Sequence, residues 1–167
     1  MAGRAVSAVL LALSTAAAVW LSGPGAASAA DSFPEATDVR LGGGEADTRF
    51  VMDLTRKIEL HAFTLADPYR VVVDIPQVTF KLAPKAGQSG RGLVKAFRFG
   101  LMMEGGSRIV LDVTKPVRVD KAYVMDATTE DPARLVLDLV PTDRPRFLHE
   151  IATENRLLAA QPAPAQP

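Results

Sequence analysis

The sequence predicts an all-β protein, a two-sheet β-sandwich with an internal two-fold repeat and a short C-terminal helix. Between about residues 37 and 141, apolar and polar residues alternate with a period of two, because successive strand side chains point to opposite faces. Turn-forming glycine and proline residues interrupt this alternation at short intervals, as at 42–44, 67–68 and 105–106. A segment also recurs within the chain, which indicates duplicated structure.

The first 30 residues have the layout of a secretory signal peptide. Arg4 precedes an uncharged run, residues 5–21, which is followed by Gly-Pro-Gly and a stretch of small residues. A retained membrane anchor is the alternative, but a run that ends in helix breakers fits a cleaved signal better. No later apolar run is long enough to span a bilayer, so the mature protein is expected to be soluble after export. Contact with the membrane is expected only through the signal peptide, before its cleavage.

Composition excludes several classes of protein. About 137 residues remain after such a cleavage, which is enough for one domain with an apolar core. The full chain has 19 Lys and Arg against 19 Asp and Glu, so no basic excess suggests nucleic acid as a partner. Cysteine is absent, so the fold does not depend on disulfides and offers no thiol nucleophile or thiolate ligand.

The repeat defines the predicted domain, residues 37–142, which follows a disordered lead-in at 31–36. Repeat 1 covers about 38–76 and repeat 2 about 96–141. Each consists of a hairpin with a glycine turn, a further strand, an Asp-Pro turn and a closing strand. Their alignment matches Arg40 with Arg98, Gly42 with Gly100 and Asp53 with Asp112.

Each repeat is expected to form one small sheet with an apolar face. Two such sheets are stable when these faces pack together, which gives the sandwich. A single twisted sheet covered by the C-terminal helix is the alternative.

One six-residue pattern, Arg–apolar–Val–apolar–Asp–apolar, occurs four times and carries the core. The copies are RFVMDL (49–54), RVVVDI (70–75), RIVLDV (108–113) and RLVLDL (134–139). Alternate residues of a strand share a face, so the apolar positions two, four and six point together to the interior. Each fully buried side chain contributes roughly 1.5–3 kcal/mol. The predicted inward set is Phe50, Met52, Leu54, Val71, Val73, Ile75, Ile109, Leu111, Val113, Leu135, Leu137 and Leu139.

The charged positions of the same sextets form the candidate ligand-binding face. One interpretation is a solvated surface that keeps the sheets soluble and helps to fix strand register. The other is a regular polar grid for a repeating sugar-peptide polymer, whose carboxylates arginine binds with two parallel hydrogen bonds. The two are not exclusive. The candidate residues are Arg49, Asp53, Arg70, Asp74, Arg108, Asp112, Arg134 and Asp138.

A basic stretch separates the repeats. No Asp or Glu occurs from Ile75 to Met103, and the five basic residues there surround the glycine-containing segment 85–92. Such an excess can attract an anionic polymer over about 8–10 Å, although a solvated loop explains it equally well. The five residues are Lys81, Lys85, Arg91, Lys95 and Arg98.

The C-terminal region is predicted to be a helix over 143–158 followed by a linker over 159–167. Asp143 and Pro145 are helix-start signals. An apolar side is formed by Phe147, Leu148, Ile151 and Leu158, and the last nine residues have an Ala/Pro-rich linker composition.

No catalytic residue, metal ligand or cofactor is expected. His61 and His149 are the only histidines, and the spacing between them matches no zinc motif. No Gly-x-Ser-x-Gly elbow or phosphate-binding loop is present. Each repeated aspartate has arginine nearby, which favours an ionised carboxylate over a general acid. Tyr69 and Tyr123 are the main amphipathic rings, so any glycan binding should depend on hydrogen bonds and charge.

Residues 36–80 and 97–142, with their doubled Arg-to-Asp strands, resemble an AMIN domain. This is the non-catalytic N-terminal domain of exported bacterial N-acetylmuramoyl-L-alanine amidases, also found in secretins. The resemblance implies a sandwich of two symmetry-related sheets that binds peptidoglycan and localises its attached machinery in the periplasm, often at the division septum. In such amidases an Ala/Pro-rich linker leads to a zinc hydrolase domain, and no position here matches the ligands of that domain.

The resulting hypothesis is a non-catalytic periplasmic domain of an N-acetylmuramoyl-L-alanine amidase-like cell-wall protein. This domain binds peptidoglycan and thereby targets the protein to the cell wall. The zinc domain is expected to be absent from this chain. The alternative is an envelope adaptor of the secretin type that docks another cell-envelope or division protein. A third possibility, an enzyme acting alone, has no sequence motif to support it.

Overall fold

The computed structural model describes residues 32–103 and 105–160. The predicted signal peptide (1–30) and most of the predicted linker (161–167) lie outside the described residues. Among the described residues, no helix is long and apolar enough to cross a membrane. The elements are β1 (Glu35–Gly43), β2 (Thr48–Leu54), β3 (His61–Leu65), β4 (Arg70–Pro76), β5 (Thr79–Phe80), β6 (Val94–Met103), β7 (Gly106–Val113), β8 (Val117–Met125), β9 (Ala133–Pro141) and α1 (Arg144–Ala160).

These strands form two sheets, which confirms the predicted sandwich. The five-stranded sheet has the order β5-β1-β2-β9-β8, and the four-stranded sheet has the order β3-β4-β7-β6. The single-sheet alternative is therefore wrong.

The expectation that each repeat forms its own sheet is also wrong. Each sheet combines the first hairpin of one repeat with the second hairpin of the other, since β1–β2 pairs with β8–β9 and β6–β7 pairs with β3–β4. The chain changes sheet between β2 and β3, where Ile58 is buried in the core, and again between β7 and β8. These two crossovers carry the second half of each repeat to the opposite sheet.

The core lies between the sheets and is built from the sextets. Eleven of the twelve predicted inward side chains are buried, and Val113, at the end of β7, is half-buried against the same cluster. Phe50 of the five-stranded sheet meets Phe97 of the four-stranded sheet edge to face, with ring centroids 5.3 Å apart. This contact joins the two sheets within the core.

The predicted lead-in at 31–36 is ordered at its end. Glu35 and Ala36 belong to β1, and Ala36 is fully buried. The parallel strand β5 pairs with these two residues, and the Lys81 N–H donates to the Ala36 carbonyl at 2.8 Å. Local polarity suggested disorder, but pairing with a distant segment overrides it.

α1 begins one residue after Asp143, whose carboxylate accepts a hydrogen bond from the Arg146 N–H at 2.9 Å and so caps the helix. Phe147 is buried against the Tyr69 ring, whereas Leu148 is exposed and Ile151 is half-buried. The side chain of Leu158 lies outside the described residues. Ala159 and Ala160 belong to the helix and not to the predicted linker.

Phe50→Ala is expected to lower the free energy of unfolding by about 3–5 kcal/mol, because it removes a fully buried ring and leaves a cavity between the sheets. Leu101→Ala, which truncates a side chain that is 64% exposed, should change it by no more than about 0.5 kcal/mol. Urea denaturation of both variants measures the difference. Equal losses in the two variants would contradict the assignment of the core.

Candidate ligand-binding surface

The four sextets occupy the two central strands of each sheet, paired antiparallel. Valine stands opposite valine at the centre of each pair, as in Val51 with Val136 and Val72 with Val110. Antiparallel pairing centred in this way places the first residue of one sextet opposite the fifth residue of the other. Every sextet arginine therefore faces a sextet aspartate across the strands, in the pairs Arg49–Asp138, Arg134–Asp53, Arg108–Asp74 and Arg70–Asp112.

Two of these pairs have the same two-pronged geometry. Arg49 donates from Nε to Asp138 Oδ1 at 2.6 Å and from Nη2 to Oδ2 at 2.8 Å. Arg108 makes the equivalent bonds to Asp74 at 2.6 and 2.7 Å. Parallel hydrogen bonds of this kind fix the orientation of both side chains. The repeat is thus preserved at the level of individual hydrogen bonds.

The other two pairs are looser. Arg134 Nε lies 3.5 Å from Asp53 Oδ1, beyond good hydrogen-bond distance, and Arg70 makes no ion pair within the described residues. In both arginines Nε is buried without a hydrogen-bond partner among the described residues. These equivalent arginines are therefore incompletely satisfied on both sheets.

Two arginines on the flanking strands complete these loose pairs, and the candidate set did not include them. Arg40 donates from Nη1 and Nη2 to Asp53 at 2.8 and 2.9 Å, and Arg98 donates from Nη1 to Asp112 at 2.7 Å. The repeat alignment had matched Arg40 with Arg98, which was the signal available in the sequence. The aspartates that they bind, Asp53 and Asp112, could be identified only once the pairing of the strands was known.

The eight candidate residues do not form one continuous grid. The core lies between the sheets, so the charged sides of the two sheets point outward in opposite directions. We call the outer side of the five-stranded sheet face A and that of the four-stranded sheet face B. Face A carries Arg49, Asp53, Arg134 and Asp138 together with Arg40, and face B carries Arg70, Asp74, Arg108 and Asp112 together with Arg98.

An apolar strip crosses the middle of each face. On face B, Phe63 pairs with Val72, and on face A, Tyr123 pairs with Val136. Both valines are buried although they point away from the core, since arginine stems at neighbouring positions are long enough to cover them. The Arg108 guanidinium also lies 5.8 Å from the Phe63 ring centroid. Each face thus combines one aromatic ring with arginine and aspartate groups.

Tyr123 is an exposed ring of face A, whereas Tyr69 is engaged by the C-terminal helix. The Tyr69 ring packs edge to face on Phe147 with centroids 5.3 Å apart, and Arg144 lies over it at 5.8 Å. The sequence analysis named both tyrosines as the main amphipathic rings. Of the two, Tyr123 has its ring exposed to solvent on an outer face.

A glycine beside each two-pronged pair leaves room for a ligand. Gly42 pairs with Arg49, and Gly100 pairs with Arg108. A Cβ atom added at either glycine would meet no atom within 4 Å. On face B this space is part of a groove of about 190 Å³, bordered by Arg98, Arg108 and the exposed Leu101.

Hydrogen bonding in these pairs favours the charged form of Asp138 and of three arginines, Arg40, Arg49 and Arg108. Hydrogen bonding from Arg49 lowers the pKa of Asp138, and the same bond raises the pKa of Arg49. Hydrogen bonding to Asp74 raises the pKa of Arg108, and bonds to Asp53 and then Asp38 raise that of Arg40. A general acid needs a raised carboxyl pKa, so Asp138 has the opposite property. The faces have the chemistry of binding surfaces, with fixed donors beside fixed acceptors.

Metal-binding clusters of three or more His, Asp or Glu side chains do not occur among the described residues. His61 lies in β3 beside Phe63, and His149 is exposed in α1.

The basic stretch is partly neutralised in the structure. Lys81 pairs with Glu35 at 2.7 Å and Arg98 pairs with Asp112 at 2.7 Å. Arg91 donates from Nε to the Gly43 carbonyl at 2.9 Å. Lys85 and Lys95 form no ion pair with any of the described residues. The unpaired positive charge is therefore concentrated at 85–95, in and next to the segment between the repeats.

Comparison with protein families identifies a domain in this chain. A family model described as the AMIN domain matches residues 38–139. The chain matches none of the curated proteins.

The depressed pKa of Asp138 predicts a pH-dependent contribution to stability. The pKa of an aspartate in the unfolded chain is about 3.9, and the pKa of Asp138 is lower in the folded protein. The Arg49–Asp138 pair therefore stabilises the fold above about pH 4, and this stabilisation is lost as the pH falls toward the folded-state pKa. We expect Arg49→Gln to raise the carboxyl pKa of Asp138, measured by NMR titration. The stability gap between wild type and variant should shrink as the pH falls below about 4.

Arg156→Gln is the matched control, because it removes the same charge from an exposed position in α1. It should leave the titration of Asp138 unchanged. If Asp138 titrates at the same pH in wild type and in Arg49→Gln, the pair does not control its ionisation.

Proposed function

Because the chain belongs to the AMIN domain family, we propose that it binds peptidoglycan through faces A and B and itself performs no catalysis. AMIN domains are non-catalytic modules that occur in exported periplasmic proteins and support peptidoglycan binding or targeting in amidases or secretins. The observation that carries the proposal is the duplicated arrangement of paired Arg and Asp on the two outer faces.

The spacing of charged groups suits a repeating polymer. Neighbouring strands lie about 4.8 Å apart, so arginine donors and aspartate acceptors alternate across each face at regular intervals. Peptidoglycan offers hydroxyl and amide groups that can use both donors and acceptors, together with peptide carboxylates. Arg98 uses only Nη1 within the described residues, which leaves its other donors available on face B. Arginine is well suited to such carboxylates because its donors form a planar fork.

The glycine-lined space explains how a polymer could approach the paired groups. Side chains at Gly42 and Gly100 would stand beside Arg49 and Arg108, where a ligand has to pass. The exposed Tyr123 on face A supplies an apolar surface for a sugar ring. These features support two equivalent contact surfaces on one domain.

At a finer level, we propose that the chain is the targeting part of an N-acetylmuramoyl-L-alanine amidase-like protein, exported by the predicted signal peptide at 1–30. The Ala/Pro-rich composition of 161–167 supports this, because such segments connect domains. Sequencing the gene beyond Pro167 tests it. An in-frame continuation encoding His and Glu ligands supports an amidase, and a secretin-type continuation contradicts it.

The second candidate function is protein docking in the cell envelope. Leu101 is 64% exposed and Met102 is 47% exposed, and both lie near the end of the edge strand β6. Neighbouring exposed apolar side chains are typical of protein contact sites. Cross-linking in whole cells separates the two functions, since a discrete protein partner that persists after digestion of the wall favours docking.

Gly42→Phe and Gly100→Phe are expected to weaken binding to purified sacculi without loss of folding. Each ring would block one face, and the open space at both glycines accommodates a side chain. We expect each variant to lose part of the binding, and the double variant about tenfold or more, as loss of charge-assisted hydrogen bonds implies. Sedimentation with sacculi at physiological salt gives the bound fraction.

Thr129→Phe serves as the control, because it adds the same ring at an exposed loop position outside the strands that form both faces. It should bind like the wild type. A wild-type domain that stays in the supernatant contradicts peptidoglycan binding, and a double glycine variant that binds normally contradicts the use of these faces.

A further inference from the structure

A cavity lined by neither of the two-pronged pairs lies at one side of the sandwich. It is lined by the part of β1 that lies beyond the pairing with β5 and by the edge strand β6, and the segment between the repeats, residues 82–91, borders it. Its volume is about 490 Å³, within the usual range of about 300–1,000 Å³ for pockets that hold small ligands. We call it the inter-repeat cleft.

The floor of the cleft is apolar. Val39 and Leu41 contribute from β1, Phe97 from β6, and Leu82 from the segment between the repeats. All four belong to the core cluster or pack directly against it. A ligand seated there would cover side chains that the two sheets leave partly open at this edge. Such a floor favours small hydrocarbon groups.

The rim of the cleft is basic. The Lys85 ammonium makes no hydrogen bond or ion pair within the described residues. The Arg91 side chain uses only Nε there, which donates to the Gly43 carbonyl at 2.9 Å. That bond orients the guanidinium and leaves its terminal nitrogens available. Asp38 also lines the cleft, but Arg40 binds its carboxylate at 2.6 Å. The uncompensated charge at the rim is therefore positive.

The bordering segment is held in place and is not a loose loop. The Phe97 N–H donates to the Gly87 carbonyl at 2.9 Å, and the Ala86 N–H donates to the Ala83 carbonyl at 2.8 Å. Gly87 has φ of 88°, and a Cβ there would lie 2.0 Å from the Phe97 carbonyl oxygen, so only glycine fits. A preformed cleft loses little conformational entropy when it binds a ligand.

We propose that the inter-repeat cleft binds the carboxylate end of a short peptide with small apolar side chains. The Arg91 fork and the Lys85 ammonium bind the terminal carboxylate, and the apolar floor takes the methyl groups of alanine-like residues. Arginine binds carboxylates with paired hydrogen bonds, whereas lysine acts as a point charge. The proposal rests on the proposed function only for the source of the peptide, namely the alanine-containing stems of peptidoglycan.

The experiment is an NMR titration of the folded domain with acetyl-Lys-D-Ala-D-Ala and, separately, with its C-terminal amide. We expect the free acid to shift the backbone amide signals of residues 82–91 and of β1. The amide form should bind about tenfold more weakly or not at all, because it lacks the charge that the rim recognises.

Three variants with the same change of charge locate the site. Lys85→Gln and Arg91→Gln remove the two rim charges and should each weaken binding of the acid by about tenfold. Lys95→Gln is the matched control, since Lys95 is exposed and near the cleft but does not line it.

A fourth variant tests the cleft by blocking it. Ser89→Trp places a large ring in the exposed bordering segment and should abolish the shifts.

Several results would overturn the proposal. These are no shift with the acid, equal binding of the acid and the amide, shifts confined to faces A and B, or equal losses in the Lys85 and Lys95 variants. Sacculus sedimentation of the wild type decides the proposed function separately. Sacculus binding with no peptide binding rejects the cleft alone, whereas peptide binding without sacculus binding rejects the proposed function alone.

Discussion

The pairing of the sextet strands, valine opposite valine, determines both sides of each sheet. On the inner side it aligns the apolar residues that fill the core, and on the outer side it places each arginine across from an aspartate. A shift of one residue would turn every inward side chain outward. The Arg49–Asp138 and Arg108–Asp74 pairs fit one register, so the charged side of each sheet supports the arrangement that the apolar side requires.

The apolar and charged sides therefore differ in what they contribute. Burial of the inward side chains supplies most of the folding energy, because each is worth several times an exposed ion pair. The charged groups are left to specify register and to present donors and acceptors at fixed positions. These charged groups stand on strands that have a paired neighbour on both sides, which holds their backbone positions in place.

Strand positions and the core could be predicted from the sequence because a period of two is a local property. Phe50 and Leu137 could be assigned to the interior from their place in the sextet alone. Strand partners could not, since alternation says which way a side chain points and not which strand lies beside it. The exchange of hairpins, the split of Arg49 and Arg108 between opposite faces, and the ordering of Ala36 by β5 all follow from such long-range pairing. Arg40 and Arg98 were aligned correctly but had no partners until the register was known.

The exchange of hairpins between sheets bears on how such a chain could arise. A polypeptide with only one repeat would hold half of each sheet and could complete them only by associating with a second copy around a two-fold axis. Joining two copies through residues 77–93 turns that assembly into one molecule. The join also frees the two halves to diverge, and the segment that made it now borders the inter-repeat cleft, a feature that a symmetric pair would lack. The contact surface of such a two-chain assembly corresponds to the interior between the two sheets of this domain.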